Sequence, residues 1–275
     1  MVLYTIDGVA LKDPGGRWWV TAEGSSARQG LRVRSVDAAV PGLDGILAPV
    51  RRERRDAAPL NLRIMCPSRD PLTRETAWDD VMGLFASSTT VIVGRKVTIS
   101  DPGRTAVAKL TSVSEPELTA KAGALVGVVG LSILDGLFHS ATTDVTWSLG
   151  STISERITGL AGSAPVDDWK IRCRGPLTSI RVTDTATGTG ISWAGSVASN
   201  RWLHITGAAA RVATTSTAWN VGGSDASGGI SLHPAGLLSL TPTRQGGVRS
   251  TEWQVESTGA DTASEITLRA GAAWV

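Results

Sequence analysis

Few side chains of this 275-residue chain could bind a metal, attack a carbonyl or carry a proton. They are His139, His204 and His233, the cysteines Cys66 and Cys173, and the adjacent pair Asp167 and Asp168. A metal centre needs several His, Cys or carboxylate ligands at short fixed spacings, and the sequence around the three histidines does not supply them. A nucleophilic serine on a Gly-X-Ser-X-Gly turn is absent, and neither cysteine lies in a basic or histidine-bearing context that would lower its pKa. Neighbouring residues on a strand point to opposite faces, so Asp167 and Asp168 do not make the paired carboxylates of a glycosidase and read as a solvated loop before Trp169. Gly94-Arg95-Lys96 lacks the second glycine and the hydroxyl of a phosphate loop, and reads as a tight turn between strands at 90–93 and 96–99. His204, in Trp202-Leu203-His204-Ile205, reads as a structural or surface histidine on a strand. The expectation is therefore no catalytic residue, no cofactor and no metal, hence no enzyme.

Two other groups could recognise a partner. Seven of the ten tryptophans follow residue 140. An indole face and its N–H suit a sugar ring, and they suit a protein core equally. Trp169, Trp193 and Trp253 alternate with polar residues and read as core, whereas Trp219, in the polar stretch 214–220, is the candidate glycan contact. The second group is Arg51-Arg52-Glu53-Arg54-Arg55-Asp56. It is either a solvated loop or a subunit contact in which Arg51, Arg52, Arg54 and Arg55 pair with carboxylates of a neighbour. Glu53 and Asp56 dilute its field for nucleic acid.

The elements carrying these groups read mostly as strands. Apolar content is 41% and net charge +2. Residues 1–140 hold 17 basic and 15 acidic side chains and residues 141–275 hold 10 of each, so neither half has the basic field of a nucleic-acid-binding domain. No apolar run reaches membrane-spanning length and the first residues lack signal-peptide parts, so synthesis in a cytoplasm is expected. The two cysteines are far apart and read as small buried hydrophobes. In the first half, 31–36 and 60–64 alternate as strands around a rigid turn at Pro41, Gly42, Asp44 and Gly45. Asp7-Gly8 and 101–103 are further turns. Asp70 as N-cap and Pro71 as first residue open a helix over 71–86, with Trp78, Val81, Met82 and Phe85 on its apolar stripe. A strand apolar on both faces spans 124–134. The second half shows short alternating strands separated by Gly- and Ser-rich turns, the pattern of a sandwich or jelly roll. The division is 1–140, a β-sandwich with one packed helix; 141–146, a polar linker; and 147–275, a second β-sandwich.

In order and kind, these features resemble the distal tail (Dit) proteins of long, non-contractile-tailed phages. The resemblance rests on 5–9 (Thr-Ile-Asp-Gly-Val), the Pro-Gly-X-Asp-Gly turn at 41–45, the single helix at 71–86, and the strand at 130–138. In the second half it rests on 159–165 with Ile171 and Gly175, on Leu232-His233-Pro234-Ala235-Gly236-Leu237, which departs from the family turn by an inserted Ala235 and by Leu237 in place of Asn, and on 266–274. The resemblance implies a tail-tube-like first domain and a galectin-like second one. It also implies a homo-hexameric ring at the distal end of a virion tail, with the tail tube protein, the tail-tip hub protein and the tape-measure protein as partners. DNA would pass through the lumen as cargo, and no membrane would be involved. Two other readings stay open: a carbohydrate-binding adhesin using the Trp-rich second half, and a glycoside hydrolase built on scattered carboxylates.

Overall fold

The computed structural model describes residues 2–26, 38–39, 46–47, 56–86, 88–98, 100–119, 123–150, 152–207, 209–213, 219 and 223–275. The turn at Pro41, Gly42, Asp44 and Gly45 and the cluster Arg51, Arg52, Arg54 and Arg55 lie outside them. The chain is mainly β and divides into two compact units, with the main boundary between Ser140 and Ala141; of the described residues before it, Ile46–Leu47 group with the second unit. Among the described residues no helix is long and apolar enough to cross a membrane.

Up to that division the elements are β1 (Leu3–Ile6), β2 (Val9–Ala10), β3 (Trp19–Val20), β4 (Ala38–Ala39), β5 (Ile46–Leu47), β6 (Ala58–Pro67), α1 (Pro71–Ala86), β7 (Val91–Lys96), β8 (Arg104–Val113), β9 (Glu117–Thr119), β10 (Ala124–Ile133) and β11 (Phe138–His139). An antiparallel sheet runs β2-β1-β7-β8-β10-β6-β3, with β9 also on β10 and β11 on β8. The first hairpin turns at Asp7-Gly8, both at positive φ, as a two-residue hairpin requires. The Asp7 carboxylate then accepts the Ile92 N–H at 2.8 Å, tying this turn to β7.

The longest ladder joins β6 to β10 over ten residue pairs, from Ala58↔Ile133 to Pro67↔Ala124. Ala58, Leu60, Leu62, Ile64 and Cys66 all face inward at 0% exposure. Each buried Leu or Ile contributes about 1.5–3 kcal/mol of transfer free energy. Against this face lies α1. Its start follows from capping, since the Thr73 N–H donates to Asp70 Oδ2 at 2.9 Å. Trp78, Val81 and Phe85 are buried with Ala77, and Met82 packs at the rim. Gly127 on β10 makes the contact possible, because a Cβ there would enter the Trp78 ring.

The tight turn expected at Gly94-Arg95 does not exist. Both residues lie inside β7, paired to β1 and β8. Gly94 serves close approach here, since a Cβ would collide with the Thr5 hydroxyl. The chain reverses later, where Asp101 accepts the Val97 and Gly103 N–H groups and Gly103 takes positive φ.

The second unit comprises β12 (Thr143–Ser148), β13 (Ile153–Ile157), β14 (Lys170–Arg174), β15 (Leu177–Asp184), β16 (Gly190–Val197), β17 (Trp202–Thr206), β18 (Ala209–Ala213), β19 (Ser224–Asp225), β20 (Ile230–Leu232), β21 (Thr243–Gln245), β22 (Val248–Thr258), β23 (Glu265–Ala270) and β24 (Ala273–Trp274). One sheet runs β12-β23-β14-β17-β18-β19. The other runs β13-β22-β15-β16-β20, with β21 on β22. The polar stretch 141–146 expected as a linker is strand from Thr143 onward, because β23 supplies it with a pairing partner 121 or more residues away in sequence. Inward side chains of both sheets form the core. Trp147 of β12 meets Trp253 of β22 with ring centroids 4.8 Å apart, and the Trp169 indole N–H donates to the Leu238 carbonyl at 2.8 Å. The turn expected at 232–237 is present, with the Gly236 N–H donating to the His233 carbonyl at 2.8 Å.

Replacing Gly127 with valine should destabilise the first unit by about 1–3 kcal/mol, the usual range for overpacking. Denaturant unfolding followed by tryptophan emission would check it, and an unchanged midpoint would contradict the tight Gly127–Trp78 contact. In the second unit, Asp184 is fully buried at the end of β15. Burial raises its pKa, offset in part by the Thr187 hydroxyl and the Ala186 N–H. A folded-state pKa above the unfolded one gives stability that is fully present below the unfolded value and lost as pH rises through the folded value. The wild type should therefore lose stability relative to Asp184→Asn between pH 4 and pH 7. Unfolding midpoints of both proteins at the two pH values test the sign.

Candidate functional site

The chemistry-bearing residues do not converge. His139 Nε2 lies 2.6 Å from Asp135 Oδ2, a carboxylate at i,i+4 spacing that the expectation of an isolated histidine did not include. His204 is buried on β17, and His233 takes a 2.6 Å contact from the Arg181 guanidinium. Among the described residues, no group of three or more His, Cys, Asp or Glu is placed to hold a metal ion. Cys66 and Cys173 are free and buried on β6 and β14. Burial pushes the Cys66 thiol up to about 11 and raises that of Cys173 as well, so both stay protonated and unreactive. Asp167 accepts a hydrogen bond from the Ser239 hydroxyl, and Asp168 is exposed beside it. Arg95 is buried in β7 next to Tyr4, whose hydroxyl donates to the Ser26 carbonyl at 3.2 Å.

What the structure does assemble is a polar face on the sheet β12-β23-β14-β17-β18-β19. Strand alternation builds it: on β14, Ile171 and Cys173 point into the core while Lys170, Arg172 and Arg174 point outward. Register then sets their neighbours. Arg172 stands opposite His204 and Thr267, and Arg174 opposite Trp202 and Glu265. Asp144 on β12 stands opposite Arg269 on β23. The Arg269 guanidinium grips that carboxylate with both prongs, Nε to Oδ1 at 2.6 Å and Nη2 to Oδ2 at 2.7 Å. This bond, helped by the Trp219 indole N–H, holds the Asp144 carboxyl below its ordinary range.

Trp219 is part-buried, and its ring lies against two guanidinium groups, Arg269 at 4.6 Å and Arg172 at 4.7 Å from the ring centroid. Arg172 also lies 5.3 Å from the Trp202 ring, and Arg174 lies 6.0 Å from it. Such contacts are worth about 0.5–2 kcal/mol each, depending on desolvation. The face is thus a row of arginines interleaved with two indoles, with Asp144 and Glu265 among them. Sequence reading named only Trp219 here. The alternation of Lys170, Arg172 and Arg174 with two buried residues was a usable signal for a basic outward face; the pairing of Asp144 with Arg269 was not, since it spans 125 residues.

On the first unit's sheet, the side away from α1 carries a short apolar row. Ile92 stands opposite Val107, and the Leu134 N–H donates to the Val107 carbonyl at 2.9 Å. Their exposures are 51%, 49% and 46%.

No family model and no curated protein matches this chain. Among solved structures, the crystal structure of the SPP1 Dit protein, described there as a paradigm of the hub adsorption apparatus in phages infecting Gram-positive hosts, aligns over 100% of both chains at a TM-score of 0.61 and 12% identity. Chains of the phage P2 baseplate in its activated conformation, with calcium and with strontium, align over 98% of both chains at a TM-score of 0.41, with 11% and 12% identity. Along its whole length, this chain shares the fold of the SPP1 Dit hub protein.

Proposed function

We propose that this chain is a structural hub protein of a phage tail, forming a ring that joins the tail tube to the tip or baseplate and leaves a channel for DNA. The observation that carries the reading is the shared fold with the SPP1 Dit hub protein over the full length of both chains. Its partners are other copies of itself, taken as six, together with the tail tube, tail-tip hub and tape-measure proteins. Its place is the distal end of the virion tail, after synthesis in the host cytoplasm, and its role is not catalytic.

Two features suit such a ring. A net charge of +2 leaves little attraction for DNA in transit. The apolar row of Ile92, Val107 and Leu134 offers a contact that a neighbouring subunit would cover, and heterologous contacts of this kind close into rings. In this reading Arg51, Arg52, Arg54 and Arg55 pair with carboxylates of a neighbouring subunit, and the turn at Pro41, Gly42, Asp44 and Gly45 sets the direction of that segment.

Light scattering of the purified protein, with negative-stain imaging, tests the proposal. A six-protomer mass and rings with a central channel are expected, alone or with the tail-tube protein of the same phage. A strict monomer at every workable concentration, with no ring on that partner, overturns it. Val107→Glu and the double charge reversal of Arg52 and Arg54 should each raise the concentration needed for assembly about tenfold, equivalent to about 1.4 kcal/mol. Both should leave the circular dichroism of the protomer unchanged. Assembly at wild-type concentrations in the charge-reversed protein would return the arginine cluster to a solvated loop.

A further inference from the structure

We propose that the outward face of β14, β17 and β23 in the second unit binds an acidic polysaccharide, with Trp202 stacking a sugar ring and Arg174 and Arg172 taking its carboxylates. The proposal is independent of ring formation.

The face has the parts that such a ligand needs. Lys170, Arg172 and Arg174 recur at every second residue of one strand, so their side chains leave the sheet about 6–7 Å apart in a straight row. A linear polymer with regularly repeated charges can follow that row. Trp202 stands directly opposite Arg174, so an indole and an exposed guanidinium share one spot. Trp202 is itself only part-buried, unlike Trp169, Trp193 and Trp253. Arg172 is steadied between Trp202 and Trp219, which reduces the ordering needed when it meets an anion. Trp219 takes the place of a wall here, its ring occupied by Arg172 and Arg269, and Trp202 is the stacking surface.

The acidic residues on the same face decide the ligand class. Glu265 stands opposite Arg174, and Asp144 is held by Arg269. A nucleic acid, with a phosphate on every unit, would be repelled at these points, and the second unit as a whole has no basic excess. A sugar chain gains from the mixture. Its hydroxyls donate to Glu265 and accept from arginine, and its carboxylates fit the guanidinium fork.

The test uses the full-length protein and calorimetric titration with polygalacturonate, neutral dextran, a poly(ribitol phosphate) and oligo-dT. Polygalacturonate should bind, at least tenfold more tightly than each of the other three, and more weakly as salt is raised. Arg174→Glu and Trp202→Ala should each weaken binding about tenfold or more, as loss of a contact worth about 1.4 kcal/mol does. Arg244→Glu, an exposed arginine on the other sheet, should leave it unchanged. Circular dichroism and ring assembly should be normal in all three variants, and Trp202→Phe should retain most of the affinity if Trp202→Ala proves unstable. No binding, equal or tighter binding of dextran, the phosphate polymer or oligo-dT, or equal loss in Arg244→Glu would each overturn the proposal.

Discussion

The antiparallel ladder between β6 and β10 is the constraint on which the first unit depends. Its ten pairs bring two segments nearly sixty residues apart into one register. That register sets Leu60, Leu62 and Ile64 on one face and places Gly127 where Trp78 of the helix needs space. A slip of one residue would turn the whole inward row to solvent, so burial and pairing enforce each other. The helix, the β7–β8 strands and the exposed Ile92–Val107 pair are all positioned from this ladder.

The second unit solves a different problem with the same rule. Two sheets bury their inner rows, including Trp169 and Trp253, and this leaves the outer rows free to vary. On one outer row the freedom has been used for arginines and indoles. The ion pair of Arg269 with Asp144 and the stacking of both Arg172 and Arg269 on Trp219 keep those long side chains in place. Exposed ion pairs contribute little to stability, so their effect here is to order the surface. Catalytic chemistry, in contrast, has no comparable grouping among the described residues: the cysteines are buried and protonated, and the histidines are engaged separately.

Local signals in the sequence were strong wherever the chain decides its own conformation. Pro71 after a capping Asp70 started the helix at the residue expected, and Asp7-Gly8 made the expected hairpin turn. Gly94-Arg95 failed for a physical reason. A glycine next to a basic residue looks like a turn, but this glycine answers a neighbour, Thr5, that lies 89 residues earlier and is close only in the folded sheet. The polar 143–146 stretch failed in the same way, since its strand conformation comes from β23 near the other end of the chain.

Short-range signals in the sequence were enough for the mainly β class, the helix over 71–86 and the buried character of both cysteines. Periodicity and turn chemistry act over a few residues and need no partner. Which outward residues become neighbours is settled only on folding. Arg174 beside Trp202, Arg269 on Asp144, and Trp219 against two guanidinium groups all depend on strand register across long loops. Register is set by the summed burial of whole strands, a quantity that no short stretch of sequence contains.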